Sequence, residues 1–409
     1  MLETQVSDKG PQIINNPVKG RVDRIAEGPR MAKTKSKKST SGSAKARNNA
    51  TAGKIVALAE SVVAAASKKR DPAVDIPIRS LSNAKYNKNK RIIEMGDKRQ
   101  TRTFFNMGQA KNFMQTVLIA SGCKKLIDED KTVSIRGLYY LTKHTIPGTS
   151  EKTFNDQGES DPIIEDLEVA MASLREELHV FADNRGSIAG NLTIVSRGDE
   201  IDLRRMGAGG FSIPSIVEPD VMQFRKCEAK FILHVEKGTV WNRFNEDKFW
   251  QKHNCILTHG GGQPPRGVRR LLKRMHTELK LPVYCLLDND PWGYYIYRVI
   301  KQGSINLAFE SERMAVPDAK LIGVRSHDYE DYDLSDDVKI AVDDKDIKRA
   351  RQIMEYPWFK GKKDWAKEVD AMLKHGFKME VESLLTKSIS FVTETYVPEK
   401  LKQRSKWLD

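Results

Sequence analysis

Between Lys230 and Asp288 the chain alternates short apolar runs with helical stretches, and this rhythm constrains the fold more than any other feature. Lys230–Glu236 reads as a strand, Phe244–Lys252 as a helical segment and Cys255–Thr258 as a second strand, which runs into His259-Gly260-Gly261-Gly262. Gly267–Leu279 reads as a basic helix and Pro282–Asp288 as a third strand, with Ala319–Val324 a candidate fourth. Strands separated by helices require crossover connections, hence a parallel sheet flanked by helices. Residues 345–409 read as mostly helical, and no internal repeat is evident.

Two of these strands end in acids: Glu236 after the first, Asp288 and Asp290 after the third. Open parallel sheets bind their ligands beyond the carboxyl ends of the strands. Three carboxylates gathered there repel one another unless a cation joins them, and oxygen ligands near phosphate favour magnesium. Acids at strand ends also serve to cap the following helix, so the pattern alone leaves both uses open.

Upstream the pattern is helical. Lys111–Ser121 forms one helix, and Asp161–Phe181 a longer one for which Asp161 suits the cap and Pro162 the first turn. Between them lies Ser134-Ile135-Arg136-Gly137-Leu138-Tyr139-Tyr140-Leu141. Short helices followed by the strand-like Leu192–Val195 suit a winged-helix (CAP-like) domain over residues 71–185. Residues 186–222, rich in Gly and Pro, read as connecting strands and turns, and residues 223–409 as the sheet domain. The whole is a mixed α/β chain.

Residues 1–70 read as a basic extension, largely disordered, with a short helix near 53–67; Met31 before a basic, Ser-rich run resembles a second start site. Residues 1–100 hold 22 Lys+Arg against 9 Asp+Glu, so they carry +13 of the net charge of +14. That imbalance points to nucleic acid. Cys123, Cys227, Cys255 and Cys285 are too scattered for a zinc framework or a disulfide scaffold and fit a reducing interior. No run of about 18 apolar residues suggests a membrane span, and Met1–Arg30 has no signal-peptide core. The expected setting is the cytoplasm beside the nucleoid, or the nucleus in a eukaryote.

Several motifs carry a resemblance. Val235-Glu236-Lys237 followed by Asp288-Asn289-Asp290-Pro291-Trp292-Gly293, on alternating strands and helices, resembles a Toprim domain. The segment Gly260–Leu272 resembles the loop and helix between these motifs in the A subunits of topoisomerase VI, the type IIB family that includes the Spo11 proteins. So do Arg197–Gly207 and Trp292–Tyr297, and the similarity runs from about residue 100 to the end, closest to archaeal-type A subunits. It implies that Glu236, Asp288 and Asp290 hold Mg2+. Members carry Arg-x-x-Tyr-Tyr or Arg-x-x-Phe-Tyr in a winged-helix domain, the second aromatic being the nucleophile. Carried over, that is Tyr140, with Arg136 beside it; Gly137 stands where many relatives have Asp. Arg266, Arg269, Arg270 and Lys273 of the basic helix are candidate DNA contacts. His144 and His179 read as structural.

A phenol with a pKa near 10 is a poor nucleophile at neutral pH, and a guanidinium nearby favours the phenolate. The resemblance implies a homodimer cutting double-stranded DNA, each tyrosine working with its partner's acids. The chain lacks a Gly-x-x-x-x-Gly-Lys-[Ser/Thr] loop, so ATP is expected on a separate GHKL-type B subunit in an A2B2 assembly. A Spo11-like protein whose breaks are not resealed, a Toprim nuclease or primase, and a DNA-binding scaffold are the alternatives.

Overall fold

The computed structural model describes residues 40–409, with side chains from Lys45 onward. The expected disorder of residues 1–39, and Met31 with it, lies outside the described residues. Helix α1 (Thr40–Ser67) starts well before the short helix expected near 53–67. Its segment Lys45–Ser67 is long and apolar enough to cross a membrane by length and composition, a property that unbroken apolar runs do not reveal because Lys54 and Glu60 interrupt it. Here it docks on the protein. Ile55 is buried in a helical core, Arg47 forms a bidentate pair with Asp220 at 2.8–2.9 Å, and Lys54 reaches Ser173 Oγ at 3.1 Å.

That core joins α2 (Ala110–Asp128), α3 (Ile135–Thr142) and α4 (Gln157–Met171) through Ile119, Cys123, Leu138, Ile163, Ile164 and Leu167. A small parallel ladder, Val133–Ser134 against Val180–Phe181, closes it. Helix α4 differs from the expected Asp161–Phe181. Asp156 is the N-cap, accepting the Glu159 N–H at 3.2 Å, so the helix begins earlier and Pro162 sits inside it. It stops at Met171 because Ala172 turns left-handed at φ 45°.

The central sheet has six strands: β1 (Ser187–Gly190), β2 (Phe211–Ser212), β3 (Phe231–Val235), β4 (Cys255–His259), β5 (Val283–Leu286) and β6 (Lys320–Gly323). Their spatial order is β2-β1-β4-β3-β5-β6. The strands β4, β3, β5 and β6 are mutually parallel, as the sequence rhythm requires, whereas β1 and β2 add an antiparallel edge. Residues 186–222 therefore do more than connect. They lend two strands to this sheet and, with Met222–Cys227, build a separate antiparallel sheet whose last strand crosses the boundary placed at 222.

Alternate residues of β3 enter different cores, as strand geometry demands. Ile232 packs with Leu271, Leu272, Tyr297 and Trp365 on one face; Leu233 and Val235 pack with Trp241, Phe244 and Tyr396 on the other. The first face is covered by α7 (Arg266–Glu278), α8 (Pro291–Gln302), α9 (Asp344–Glu355) and α10 (Lys363–His375). The second is covered by α5 (Gly238–Glu246), α6 (Phe249–His253) and α11 (Val397–Lys402).

Candidate active site: a carboxylate cluster and an exposed tyrosine

From β3 the chain crosses to β4 on one side, then passes over β3 to β5 on the other. The carboxyl ends of β3 and β5 therefore meet where the winding direction reverses, the usual ligand site of an open α/β sheet. Glu236 follows β3 directly, and its Oε2 accepts the Asp288 N–H at 3.0 Å. The loop after β4 closes over it, the Gly262 N–H donating to the Glu236 carbonyl at 2.9 Å. Asp288 Oδ1 accepts the Val381 N–H at 2.8 Å. Asp290 caps α8, accepting the Gly293 N–H at 2.6 Å, with Pro291 in the first turn. Gly293 is required here for space, because a Cβ would lie 2.3 Å from the Asp288 carbonyl oxygen.

Glu236 and Asp288 are buried, at 7 % and 4 % exposure. Burial first, and then the Asp288 charge, push the Glu236 carboxyl well above the ordinary carboxylate range. Burial likewise raises Asp288 and Asp290; for Asp288 the Val381 N–H and Lys237 oppose the rise. Among the described residues Asp288 has Lys237 as its ion-pair partner, whereas Glu236 and Asp290 have none. A hard divalent cation would relieve them, and the donor set of oxygens alone fits magnesium.

Lys237, adjacent to Glu236 in sequence, is a site residue that the motif reading left without a role. Its ammonium lies 3.0 Å from Asp288 Oδ2, 3.0 Å from Glu380 and 3.2 Å from Glu382. Burial works against its charge, but these carboxylates prevail and hold it protonated far into the alkaline range. The position beside Glu236 was a visible clue for Lys237. Nothing local pointed to Glu380 and Glu382, which arrive from a distant segment.

The two tyrosines of α3 separate cleanly. Ser134 caps the helix by accepting the Gly137 N–H at 3.0 Å. A Cβ at Gly137 would lie 2.3 Å from Val133 Cγ2, so a valine methyl fills the space that a side chain at this position would need. Tyr139 is 6 % exposed and its hydroxyl donates to the Asn155 carbonyl at 3.3 Å, whereas Tyr140 is 59 % exposed. Arg136 is exposed on the same helix. No hydrogen bond or ion pair among the described residues links Arg136 or Tyr140 to the acids. His179 is structural, its Nδ1 lying 2.9 Å from the Lys131 carbonyl, and His144 is exposed.

Family descriptions match the chain in three successive blocks. Residues 111–180 match type IIB DNA topoisomerase, and residues 184–228 match the all-beta domain of the DNA topoisomerase VI alpha subunit. Residues 231–401 match the Toprim domain shared by Spo11 with the topoisomerase 6 A subunit. The A subunit of type 2 DNA topoisomerase 6 from Pyrococcus abyssi is 41% identical over 359 residues, covering 86% of this chain and 93% of the relative. Its counterpart from Aeropyrum pernix is 39% identical over 358 residues (84% and 91%), and that from Methanocaldococcus jannaschii 36% over 363 (87% and 95%). The chain belongs to the topoisomerase VI A-subunit family. It is thus an isomerase component, part of a type IIB DNA topoisomerase, and its sheet domain is a Toprim domain.

The basic helix is more covered and more fully paired than its sequence suggests. The protein does not present Arg266, Arg269, Arg270 and Lys273 as an open cationic face. Arg266 is 9 % exposed and paired with Glu168 of α4 at 2.6 Å, Glu176 at 3.1 Å and Glu310 at 2.5 Å. Arg269 is 5 % exposed. Arg270 makes a bidentate pair with Glu218 at 2.8 and 2.9 Å, and burial lowers the pKa of the half-buried Lys273. Counter-charges supplied by distant segments turn α7 into a brace between the helical region and the Toprim domain.

Proposed function

We propose that this chain is the DNA-cutting subunit of a topoisomerase VI. The observation that carries the reading is the exposure of Tyr140, a phenol turned away from its own helical core and unconnected to its own carboxylate cluster. In a homodimer such a group meets the other protomer's acids. The helical region acts as the winged-helix unit that presents it.

Tyr140 Oη attacks a DNA phosphorus, forming a 5′-phosphotyrosyl ester as the bond to the 3′-oxygen breaks and that oxygen takes up a proton. Reversal reseals the strand, because the ester conserves the energy of the bond it replaces. Arg136, one helical turn before Tyr140, favours the phenolate and orients the phosphate. Glu236, Asp288 and Asp290 hold Mg2+, which when bound neutralises the phosphate and stabilises the leaving alkoxide. Lys237 anchors Asp288 and keeps it ionised. ATP binds a GHKL-type B subunit, whose movements pass one duplex through the break. A Spo11-like role, with breaks not resealed, is the second reading; the 41% identity to a relative named as a topoisomerase favours resealing.

The test is relaxation of supercoiled plasmid by the chain with and without ATP, Mg2+ and a cognate B subunit. Relaxation is expected only with all three. Linear DNA that never recloses in the complete mixture would overturn resealing, and intact plasmid under every condition would overturn the cutting role.

A further inference from the structure

Away from the carboxylate cluster, His327, Glu330 and His375 bring their side chains together. Their potential ligand atoms all lie within 4.8 Å of one another, and among the described residues no other trio of His, Cys, Asp or Glu meets that spacing. His327 and Glu330 stand one helical turn apart where the chain leaves β6, on either side of the start of the short helix Asp328–Asp331. His375 is the last residue of α10. Two elements remote in sequence thus converge on one point of the surface.

The geometry is close to that of a coordination shell. Tetrahedral zinc sites with bonds of about 2.0–2.1 Å place neighbouring ligand atoms roughly 3.3 Å apart. His375 Nε2 and Glu330 Oε1 are 3.5 Å apart. The His375 ring is held by stacking on Phe377, with centroids 5.4 Å apart and planes 19° from parallel, and the His327 ring meets it edge-on at 6.1 Å. His327 and Glu330 are exposed, so they are free to close the remaining gap, and solvent can supply a fourth ligand.

The ground beneath is fixed. Asp328 is buried and accepts hydrogen bonds from Tyr396 and Lys400. The Ser326 N–H donates to Glu368 Oε1 of α10 at 2.7 Å, and the Arg325 Nε–H to Glu368 Oε2 at 2.5 Å. Both halves of the trio therefore stand on segments already tied together.

We propose that His327, Glu330 and His375 form a surface site for a borderline transition-metal ion of the zinc class. Two imidazoles and one carboxylate suit Zn2+, Co2+ or Ni2+, whereas Mg2+ prefers oxygen alone. The ion would clamp the turn after β6 to the end of α10, independently of the oxygen-only cluster.

The experiment is calorimetric titration of the untagged full chain, stripped with chelator, with Zn2+ in buffer holding excess Mg2+. One zinc per chain is expected, with a raised melting temperature and, on Co2+ loading, the visible absorption of a four-coordinate ion. H327Q, E330Q and H375Q should each weaken zinc binding roughly tenfold or more. All three should melt like the parent in chelator, which separates lost ligands from lost folding. Unchanged zinc affinity in the three variants, or no binding by the parent, would overturn the proposal.

Discussion

Adjacent residues on a helix point about 100° apart, so Tyr139 and Tyr140, although their rings meet edge-on with centroids 4.9 Å apart, face different surroundings. The sequence left the choice between them to resemblance alone, because both lie within helical reach of Arg136. Exposure now supplies a physical reason: Tyr139 is packed and hydrogen-bonded, Tyr140 is open. Tyr140→Phe should abolish the covalent DNA complex trapped with denaturant while leaving fold and DNA binding intact. Tyr139→Phe should keep most cleavage and lose about 1 kcal/mol of stability with its hydrogen bond. An adduct mapped by mass spectrometry to Tyr139 would refute the assignment. The acids yield a second expectation. Glu236 and Asp288 have raised pKa values, so the folded chain binds more protons than the unfolded chain at mildly acidic and neutral pH. Without metal its stability should fall as pH rises from the ordinary carboxylate range through those raised values. Magnesium replaces the protons, so the melting-temperature gain from Mg2+ should be larger at pH 8 than at pH 5. Equal gains at both would show that the ion binds elsewhere. In Glu236→Ala the gain should shrink at pH 8, and cleavage should be lost.

Among the elements, the strands of the Toprim domain were legible because each is a short apolar run between helices, and the observed limits lie within two residues of the expected ones. The start of α4 was not. Asp161 before Pro162 is a plausible cap, but Asp156 is another; the helix starts after Asp156 and, turned left-handed at Ala172, ends ten residues short of the expected Phe181. The role of α7 was hidden for a related reason. Its arginines are visible in sequence, whereas Glu168, Glu176, Glu218 and Glu310, which neutralise them, come from four separate places. Arg266→Ala should therefore destabilise the chain by about 3–5 kcal/mol, since it strands buried carboxylates. Denaturant unfolding measures this. The salt dependence of DNA binding should not change; a flattened slope in Arg266→Ala would show that this residue contacts DNA.

For the whole molecule, the mixed α/β class and the parallel strands of the Toprim sheet followed from the sequence, but how the segments share strands did not. Strands as short as β1 and β2 carry almost no pattern; β1 is placed by pairing with β4, and the edge strand β2 by pairing with β1. The structure also fixes where the basic tail can be cut. Arg47 is paired with Asp220, so truncation should stop before α1. Residues 1–39 hold 9 Lys+Arg and 4 Asp+Glu. Their removal should spare cleavage chemistry and reduce the magnitude of the log–log salt slope of DNA binding by about 0.9 for each phosphate that is no longer neutralised. An unchanged slope would mean that these residues do not touch DNA.

The brace at Arg266 has a thermal consequence. The dehydration cost of bringing charges together declines on heating, while the gain from covering apolar surface levels off. A junction between two halves of a chain that relies on Arg266 and three glutamates therefore keeps its grip at temperatures where the aliphatic cores on either side have stopped strengthening.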